Sequence, residues 1–214
     1  MFGSLKLGRF FGIDTNIHGT FWLLPLFVLV SGAAAGDVTA AFGQVAFLFA
    51  LFGCVVLHEI GHALAARYYG VRTRDITLYP IGGVASLERM PEKPHQEIVI
   101  ALAGPAVNLV IAAGLFVGML GGAVAFPRSL AGLSATDPLD GFVTQLLTAN
   151  VFLMLFNLIP AFPMDGGRVL RAALSLGMPR LDATKVAVGI SSVLAVVGGV
   201  YGVYEHQFMW TAVA

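Results

Sequence analysis

Charged side chains are scarce in this sequence, since Asp, Glu, Lys and Arg make up only 11% of its 214 residues. Soluble domains carry about 25%. Apolar residues reach 57%, and the mean hydropathy is +0.85, so we predict an integral protein of a lipid bilayer. Twelve basic residues balance twelve acidic ones. No excess positive charge is left to attract a nucleic acid, and we expect no such partner.

Cysteine is almost absent, with Cys54 as the single example. One thiol excludes an intrachain disulfide and any metal site built from paired cysteines. Cys54 lies in an apolar run without a nearby charge to stabilise a thiolate. We interpret it as a small buried hydrophobic residue.

Long apolar runs are abundant, and they predict an all-α polytopic membrane protein with five to six transmembrane helices. A helix needs about 20 mainly apolar residues to cross the hydrocarbon layer. The runs lie at about 20–36, 39–67, 97–126, 141–162, 168–179 and 185–204. The run at 168–179 is short and carries Arg171, so whether it spans stays open. We expect residues 1–214 to form a single domain.

A small β region is predicted after the second helix, at about 75–88. The β-prone segments Ile76–Tyr79 and Val84–Leu87 flank a Pro-Ile-Gly-Gly turn, which is typical of a hairpin. Its backbone polar groups cannot face lipid unpaired. The hairpin must therefore be hydrated or shielded by other parts of the protein.

The basic residues favour one membrane orientation. With a cytoplasmic N-terminus and five spans, every Lys and Arg except Arg128 falls on the cytoplasmic side, as short cytoplasmic loops require. An alternative interprets the beginning as a cleavable signal peptide, with Ala33–Ala35 as its cleavage site. Asp14 and His18 make that leader unusually polar, so we favour the first span.

The strongest chemical signal is the HExxH motif of His58, Glu59 and His62. Positions four residues apart share a helix face, so two imidazoles can bind one zinc ion. Glu59 can then act as a general base on a water molecule at the metal. The alternative is a polar cluster that only packs helices together, but packing does not require this spacing.

A catalytic zinc ion needs a third protein ligand. The extended motif of soluble metalloproteases is broken, because Ala65 and Tyr68 replace its glycine and its third histidine. Asp165 is the strongest candidate, since Pro160, Pro163 and two following glycines would unwind the chain around it. A helix-capping or turn role for Asp165 remains the alternative.

Two of the asparagines in the predicted membrane spans, Asn108 and Asn157, are candidates for the site. At about 1.5 Å of rise per helical residue, Asn108 lies level with the HExxH motif. Its amide could hold the substrate backbone or the developing oxyanion, or it could form a plain interhelical hydrogen bond. Asn157 has the same two interpretations, with the structural one favoured.

Four segments resemble the signatures of the site-2 protease family of intramembrane metalloproteases, particularly its compact prokaryotic type. They occur in the family's order and span most of the chain. The segments are HEIGH at 58–62, LYPIGGV at 78–84, AGPAVN at 103–108 and NLIPAFPMDGG at 157–167. The family usually has leucine before the aspartate, and Met164 is a conservative apolar replacement.

The resemblance implies one Zn²⁺ per chain, bound by His58, His62 and Asp165, with Glu59 as general base and acid. It also implies that Asn108 assists near the substrate. Asn157, Gly82 and Gly83 are further candidates for substrate contact, the glycines through the hairpin.

These observations predict an intramembrane zinc metalloprotease of the prokaryotic plasma membrane, with a cytoplasmic active-site side and transmembrane proteins as substrates. Many family members carry a PDZ or CBS domain, and we expect none in these 214 residues. Any regulation is then expected from separate proteins, from substrate availability after an earlier cut, or from lateral gating by the first and last spans. Two alternatives remain, namely a divalent-metal transporter and a catalytically inactive scaffold that binds membrane helices.

Overall fold

The computed structural model describes residues 3–89, 91, 93–121 and 138–204. This part of the chain is mostly helical with one small sheet. Its strands are β1 (Ser4–Phe10), β2 (Ile13–His18), β3 (Thr73–Tyr79) and β4 (Gly82–Leu87). Its α-helices are α1 (Leu23–Ala34), α2 (Val38–Tyr68), α3 (Pro94–Leu120), α4 (Pro138–Asn157), α5 (Asp165–Leu174) and α6 (Arg180–Tyr204).

Three helices are long and apolar enough to cross a membrane, namely α2, α3 and α6. Two shorter apolar helical stretches lie at Gly19–Ala34 and Gly141–Asn157. The membrane character expected from composition is confirmed at this level, whereas the number of five to six spans stays a prediction. Residues 122–126 of the third predicted span, and Arg128, lie outside the described residues.

The chain divides into two compact units. The first comprises Met1–Met90 with Ala103–Met154, and the second comprises Pro91–Leu102 with Leu155–Ala214.

The first unit contains a four-stranded sheet in the order β1-β2-β3-β4. The predicted hairpin is present as antiparallel β3 and β4, in the register Thr77 opposite Val84. The all-α prediction is incomplete, because β1 and β2 were missed and β2 pairs with β3 in parallel. The alternation of buried Ile13, Thr15 and Ile17 with polar neighbours is the signal of strand β2.

The sheet of the first unit packs on α2. Ile60 and Ala63 of α2 form a buried cluster with Ile76 of β3 and Ile13 of β2. A second cluster joins aromatic residues to the sheet; its buried members are Ile17, Phe21, Phe52 and Leu78. Both clusters exclude water from the side of α2 next to the HExxH motif, so burial of apolar area fixes the strands beside that motif.

The second unit contains the loop that carries the predicted aspartate. The helix of the fourth predicted span ends at Asn157, and the next helix begins at Asp165 rather than at 168. Gly167 approaches this loop so closely that an added Cβ would lie 2.6 Å from the Ala161 carbonyl carbon. The Phe162 amide donates a hydrogen bond to Ser191 Oγ of α6 at 2.8 Å. These contacts hold the loop against α5 and α6.

An ion triad around a buried carboxylate lies in the same unit. Glu97 in the first turn of α3 is 2% exposed. Its carboxylate accepts hydrogen bonds from Arg171 Nε of α5 at 3.0 Å and from Arg180 Nη2 of α6 at 3.1 Å. The Arg171 guanidinium also lies over the Phe162 ring, 5.6 Å from its centroid. One carboxylate therefore joins three helices to the aspartate loop.

We predict that Glu97→Gln lowers the free energy of unfolding by about 3 kcal/mol, because it leaves two guanidinium groups without their anion. The measurement is denaturant unfolding in detergent micelles, followed by circular dichroism. Asp182→Asn is the control, since it removes the exposed Asp182–Lys185 pair and should change stability by about 0.5 kcal/mol or less. Equal effects of the two substitutions would contradict the prediction.

Candidate metal centre

Two imidazoles of α2 form the core of the site. His58 and His62 are four residues apart on the helix and are 6% and 4% exposed. Their Nε2 atoms lie 3.0 Å apart. Two nitrogen ligands of one zinc ion, each about 2.0–2.1 Å from the metal, are separated by about 4 Å at most. The two side chains thus have the separation of a shared metal site.

Asn108 of α3 orients one of these imidazoles. It is fully buried, and its Oδ1 lies 2.9 Å from His58 Nδ1. An amide oxygen only accepts hydrogen bonds, so His58 Nδ1 carries the proton and Nε2 keeps its lone pair. Metal-binding histidines are commonly held in this way. Asn108 Nδ2 is buried and has no hydrogen-bond partner among the described residues.

Glycines allow α3 to approach the histidine face of α2. An added Cβ at Gly104 would lie 2.6 Å from His58 Nε2 and would also collide with the His62 ring. At Gly61, an added Cβ would lie 2.8 Å from the Ala103 carbonyl oxygen. Both positions exclude any side chain. The backbone of α3 therefore forms one wall of the site.

Asp165 supplies the third candidate ligand. Its carboxylate is buried in the first turn of α5, where the helix dipole favours a negative charge. One ligand atom from each of His58, His62 and Asp165 lies within 4.8 Å of the others. Arg168 Nη1 is 3.6 Å from the Asp165 carboxylate. Two imidazoles and one carboxylate are a donor set typical of catalytic zinc, so the residues fit that metal.

Glu59 lies between the histidines in sequence and is half-buried. Strand β4 packs directly on it, since an added Cβ at Gly83 would lie 2.7 Å from Glu59 Cγ. Gly82, at the start of β4, has a φ of 141°. The β4 glycines predicted to contact substrate therefore lie next to the predicted general base. Asn157 is half-buried at the C-terminal end of α4.

The HExxH motif of α2, the glycines of β4 and α3, and the loop before Asp165 all lie in a part of the chain that matches a known family. The sequence pattern of peptidase family M50 matches residues 46–134 and 117–198. The chain belongs to peptidase family M50. The site-2 protease resemblance noted from the sequence is thereby confirmed.

Named relatives of this M50 chain include a zinc metalloprotease of Methanocaldococcus jannaschii, 38% identical over 96% of this chain and 56% of that protein. Stage IV sporulation protein FB of Bacillus subtilis is 24% identical over 78% of this chain and 50% of its own length. The chain thus spans about half the length of these curated relatives. A solved structure, the site-2 protease from M. jannaschii, is 33% identical with a TM-score of 0.68, covering 97% of this chain and 88% of that one.

The zinc metalloproteases among these relatives imply Zn²⁺ as the cofactor, and His58, His62 and Asp165 are positioned as a possible site for it.

Several residues that shape the site were not recognised from the sequence. The strongest missed signal is Gly104 directly before Pro105 in an apolar helix, which indicates close helix packing. Outside the site, Asn150 of α4 was also not recognised; its amide is fully buried, donates to Leu146 O at 2.8 Å and lies 3.4 Å from Cys54 Sγ. The buried Cys54 was predicted and is confirmed.

We predict that Gly104→Ala weakens zinc binding by at least about tenfold, because its methyl group would displace both imidazoles, as loss of a supporting contact does at other metal sites. Bound zinc is measured by elemental analysis and chelator competition on the purified protein.

The matched control is Gly114→Ala on the same helix, where an added Cβ has no atom within 4 Å. That variant should bind zinc like the unmodified protein. Normal zinc affinity of Gly104→Ala would show that the close approach does not determine the site.

Proposed function

We propose that this chain is an intramembrane zinc metallopeptidase that cleaves peptide bonds within or near transmembrane segments of other proteins. The observation that carries the proposal is a pair of buried imidazoles next to Glu59 on α2, a helix long enough to span a bilayer, with the Asp165 carboxylate of α5 as the third possible ligand. An ionised side chain at the centre of a bilayer-spanning helix raises the free energy of membrane insertion by about 2.5–3.5 kcal/mol. Membership of family M50 supports a peptidase.

In this proposal His58, His62 and Asp165 hold the metal, and Asn108 keeps His58 in the tautomer that can bind it. A bound Zn²⁺ supplies Lewis acidity, which activates water and offsets negative charge on the carbonyl oxygen under attack. The Asn108 Nδ2 group can donate a further hydrogen bond to the substrate.

Glu59 is the proton carrier. Its carboxylate accepts the proton of the attacking water and returns it to the leaving amine, which is the work of a general base and then a general acid. The contact with Gly83 leaves no room for a side chain there and limits the orientations of Glu59. A fixed carboxylate of this kind needs little rearrangement during the reaction.

We predict that Glu59→Gln lowers peptide cleavage by about 10²–10⁴-fold while zinc content stays unchanged, because the amide cannot take the proton and the ligands are untouched. The assay uses the purified enzyme with a transmembrane substrate in detergent or vesicles. Asp182→Asn, at an exposed acidic residue outside the metal centre and strand β4, is the control and should keep full activity.

The same variant separates the alternative functions. A divalent-metal transporter would keep moving metal across vesicles after Glu59→Gln, and an inactive scaffold would keep binding helices. Cleavage at the normal rate by Glu59→Gln would refute the role proposed for Glu59.

We further propose that strand β4 holds the substrate. A transmembrane helix must be extended before its peptide bond can be attacked, and an open sheet edge can bind an extended chain by strand addition. Strand β4 is one edge of the sheet, and its Gly83 touches Glu59. Substrate added to β4 would therefore run beside the general base, with Gly82 and Gly83 among its contacts. Asn157 is proposed as a further substrate contact from the sequence pattern alone.

We predict that a proline at the free edge of β4 lowers cleavage about fivefold or more, because a main-chain donor is lost. Successive strand N–H groups point to opposite edges, so Val84→Pro and Ala85→Pro are compared. The one that keeps its fold and zinc content is the free-edge variant. Leu7→Pro in β1, at the opposite edge, is the control. Equal cleavage by the free-edge variant and the control would refute strand addition.

The membrane placement is proposed together with the function. Five or six spans, with α1 and α4 as the short ones, would leave the N-terminus and the active-site side in the cytoplasm, as the distribution of Lys and Arg favours. The archaeal and bacterial sources of the relatives support a prokaryotic plasma membrane. Residues 1–214 would then act as one protease domain on transmembrane substrates, with separate proteins as regulators.

A further inference from the structure

A cavity lined by arginines lies in the first unit, and none of its lining residues is assigned to catalysis. Its volume is about 430 Å³, within the roughly 300–1,000 Å³ of small-molecule sites. The β1–β2 turn, the end of α2 and the beginning of β3 form its walls. Four arginines and two acidic residues line it, namely Arg9, Arg67, Arg72, Arg74, Asp14 and Glu88.

Two of the arginines fix the turn that forms one wall. Arg9 Nε donates to Gly12 O at 3.0 Å, and Arg67 Nη1 donates to Phe11 O at 2.9 Å. The turn needs this support because Phe11 has a φ of 51°, a conformation that few residues with a side chain adopt. A guanidinium has five N–H donors, so both arginines keep donors for a ligand.

The other two arginines are not committed to ion pairs. Within the described residues, Arg72 and Arg74 are exposed and have no acidic group within salt-bridge distance. Asp14 forms an ion pair with Lys6, which is not part of the cavity lining; the Lys6 ammonium lies 2.8 Å from Asp14 Oδ1. The hydrogen bond from Lys6 lowers the pKa of the Asp14 carboxyl below its ordinary value, so this ion pair persists at neutral pH. The cavity is left with an excess of positive charge.

We propose that this cavity binds the phosphate group of an anionic ligand, with Arg72 and Arg74 as its main contacts. The planar guanidinium matches phosphate oxygens in paired hydrogen bonds. Membrane topology alone places basic residues on one side of a bilayer, but it does not gather four of them around one concave site.

The surface beside the cavity favours a lipid headgroup as the source of the phosphate. The same turn exposes two adjacent aromatic rings, Phe10 at 42% and Phe11 at 63%. Strand β1 adds the exposed Leu5 and Leu7. An apolar surface next to cationic groups is typical of segments that lie in the membrane interface. This proposal depends on the membrane placement and not on the peptidase activity.

The test measures binding of fluorescent phosphatidylglycerol to the full chain in neutral detergent micelles by anisotropy. We expect the double variant Arg72→Gln/Arg74→Gln to bind the lipid about thirtyfold more weakly than the unmodified chain. Each single variant should bind it about fivefold more weakly, because each loses one arginine contact. The control is Lys93→Gln/Lys185→Gln, which removes the same charge from two exposed positions outside the cavity lining. Its affinity should stay within about twofold of the unmodified chain.

Competition then identifies the source of the phosphate. Displacement by unlabelled phosphatidylglycerol but not by glycerol phosphate or inorganic phosphate assigns the site to a lipid. Displacement by the soluble phosphates at concentrations similar to that of unlabelled phosphatidylglycerol assigns the site to a free phosphate. Either result supports the proposal.

Three results would overturn it. The first is an equal loss of lipid affinity in the double arginine variant and in the lysine control. The second is an unchanged lipid affinity of the arginine variants. The third is displacement of the lipid by an acidic peptide but by none of the phosphate compounds. Circular dichroism checks the fold of each variant, and the single variants decide the question if the double variant unfolds.

Discussion

The need to keep polar, metal-binding groups inside an apolar helix is the constraint on which the rest of this structure depends. A histidine pair in α2 is tolerable only if its nitrogen atoms have partners, since unpaired polar groups in a membrane are destabilising by several kcal/mol. Asn108 serves one imidazole at Nδ1, and the geometry leaves the two Nε2 atoms facing each other at 3.0 Å. A metal ion shared with Asp165 would serve both.

Close backbone packing follows from that requirement. A helix that must deliver an amide to His58 has to approach α2 closely, and this explains why position 104 has no side chain. The same need for shielding applies to the sheet, whose open edges could not lie unpaired in lipid. Burial of Ile60, Ala63 and Ile76 holds the strands against α2, and β4 then becomes the neighbour of Glu59.

The parts of the site that depend on local spacing could be predicted from the sequence. His58, Glu59 and His62 share one helical turn, and the β3–β4 hairpin has a short turn with clear breakers, so neither needs tertiary information. The prolines and glycines around Asp165 made it the strongest candidate for the third ligand, but nothing local distinguishes a ligand from a capping residue, so the capping alternative stayed open until the family resemblance was considered. The hydrogen bond of Asn108 to His58, the parallel pairing of β2 and the ion triad of Glu97 join residues far apart in sequence. Such contacts arise from packing between helices, which a single sequence does not reveal.

The parallel pairing of β2 with β3 has a consequence for biogenesis. Two helices, α1 and α2, lie between these strands in the chain, so β2 leaves the ribosome long before its partner exists. While both helices enter the bilayer, the backbone groups on the β3-facing edge of the β1–β2 hairpin have no strand to pair with. A lone hairpin is marginally stable at best. The sheet can close only when β3 emerges. Order of synthesis thus makes the nascent N-terminal segment vulnerable to proteolysis and to mispairing until the second helix has been inserted.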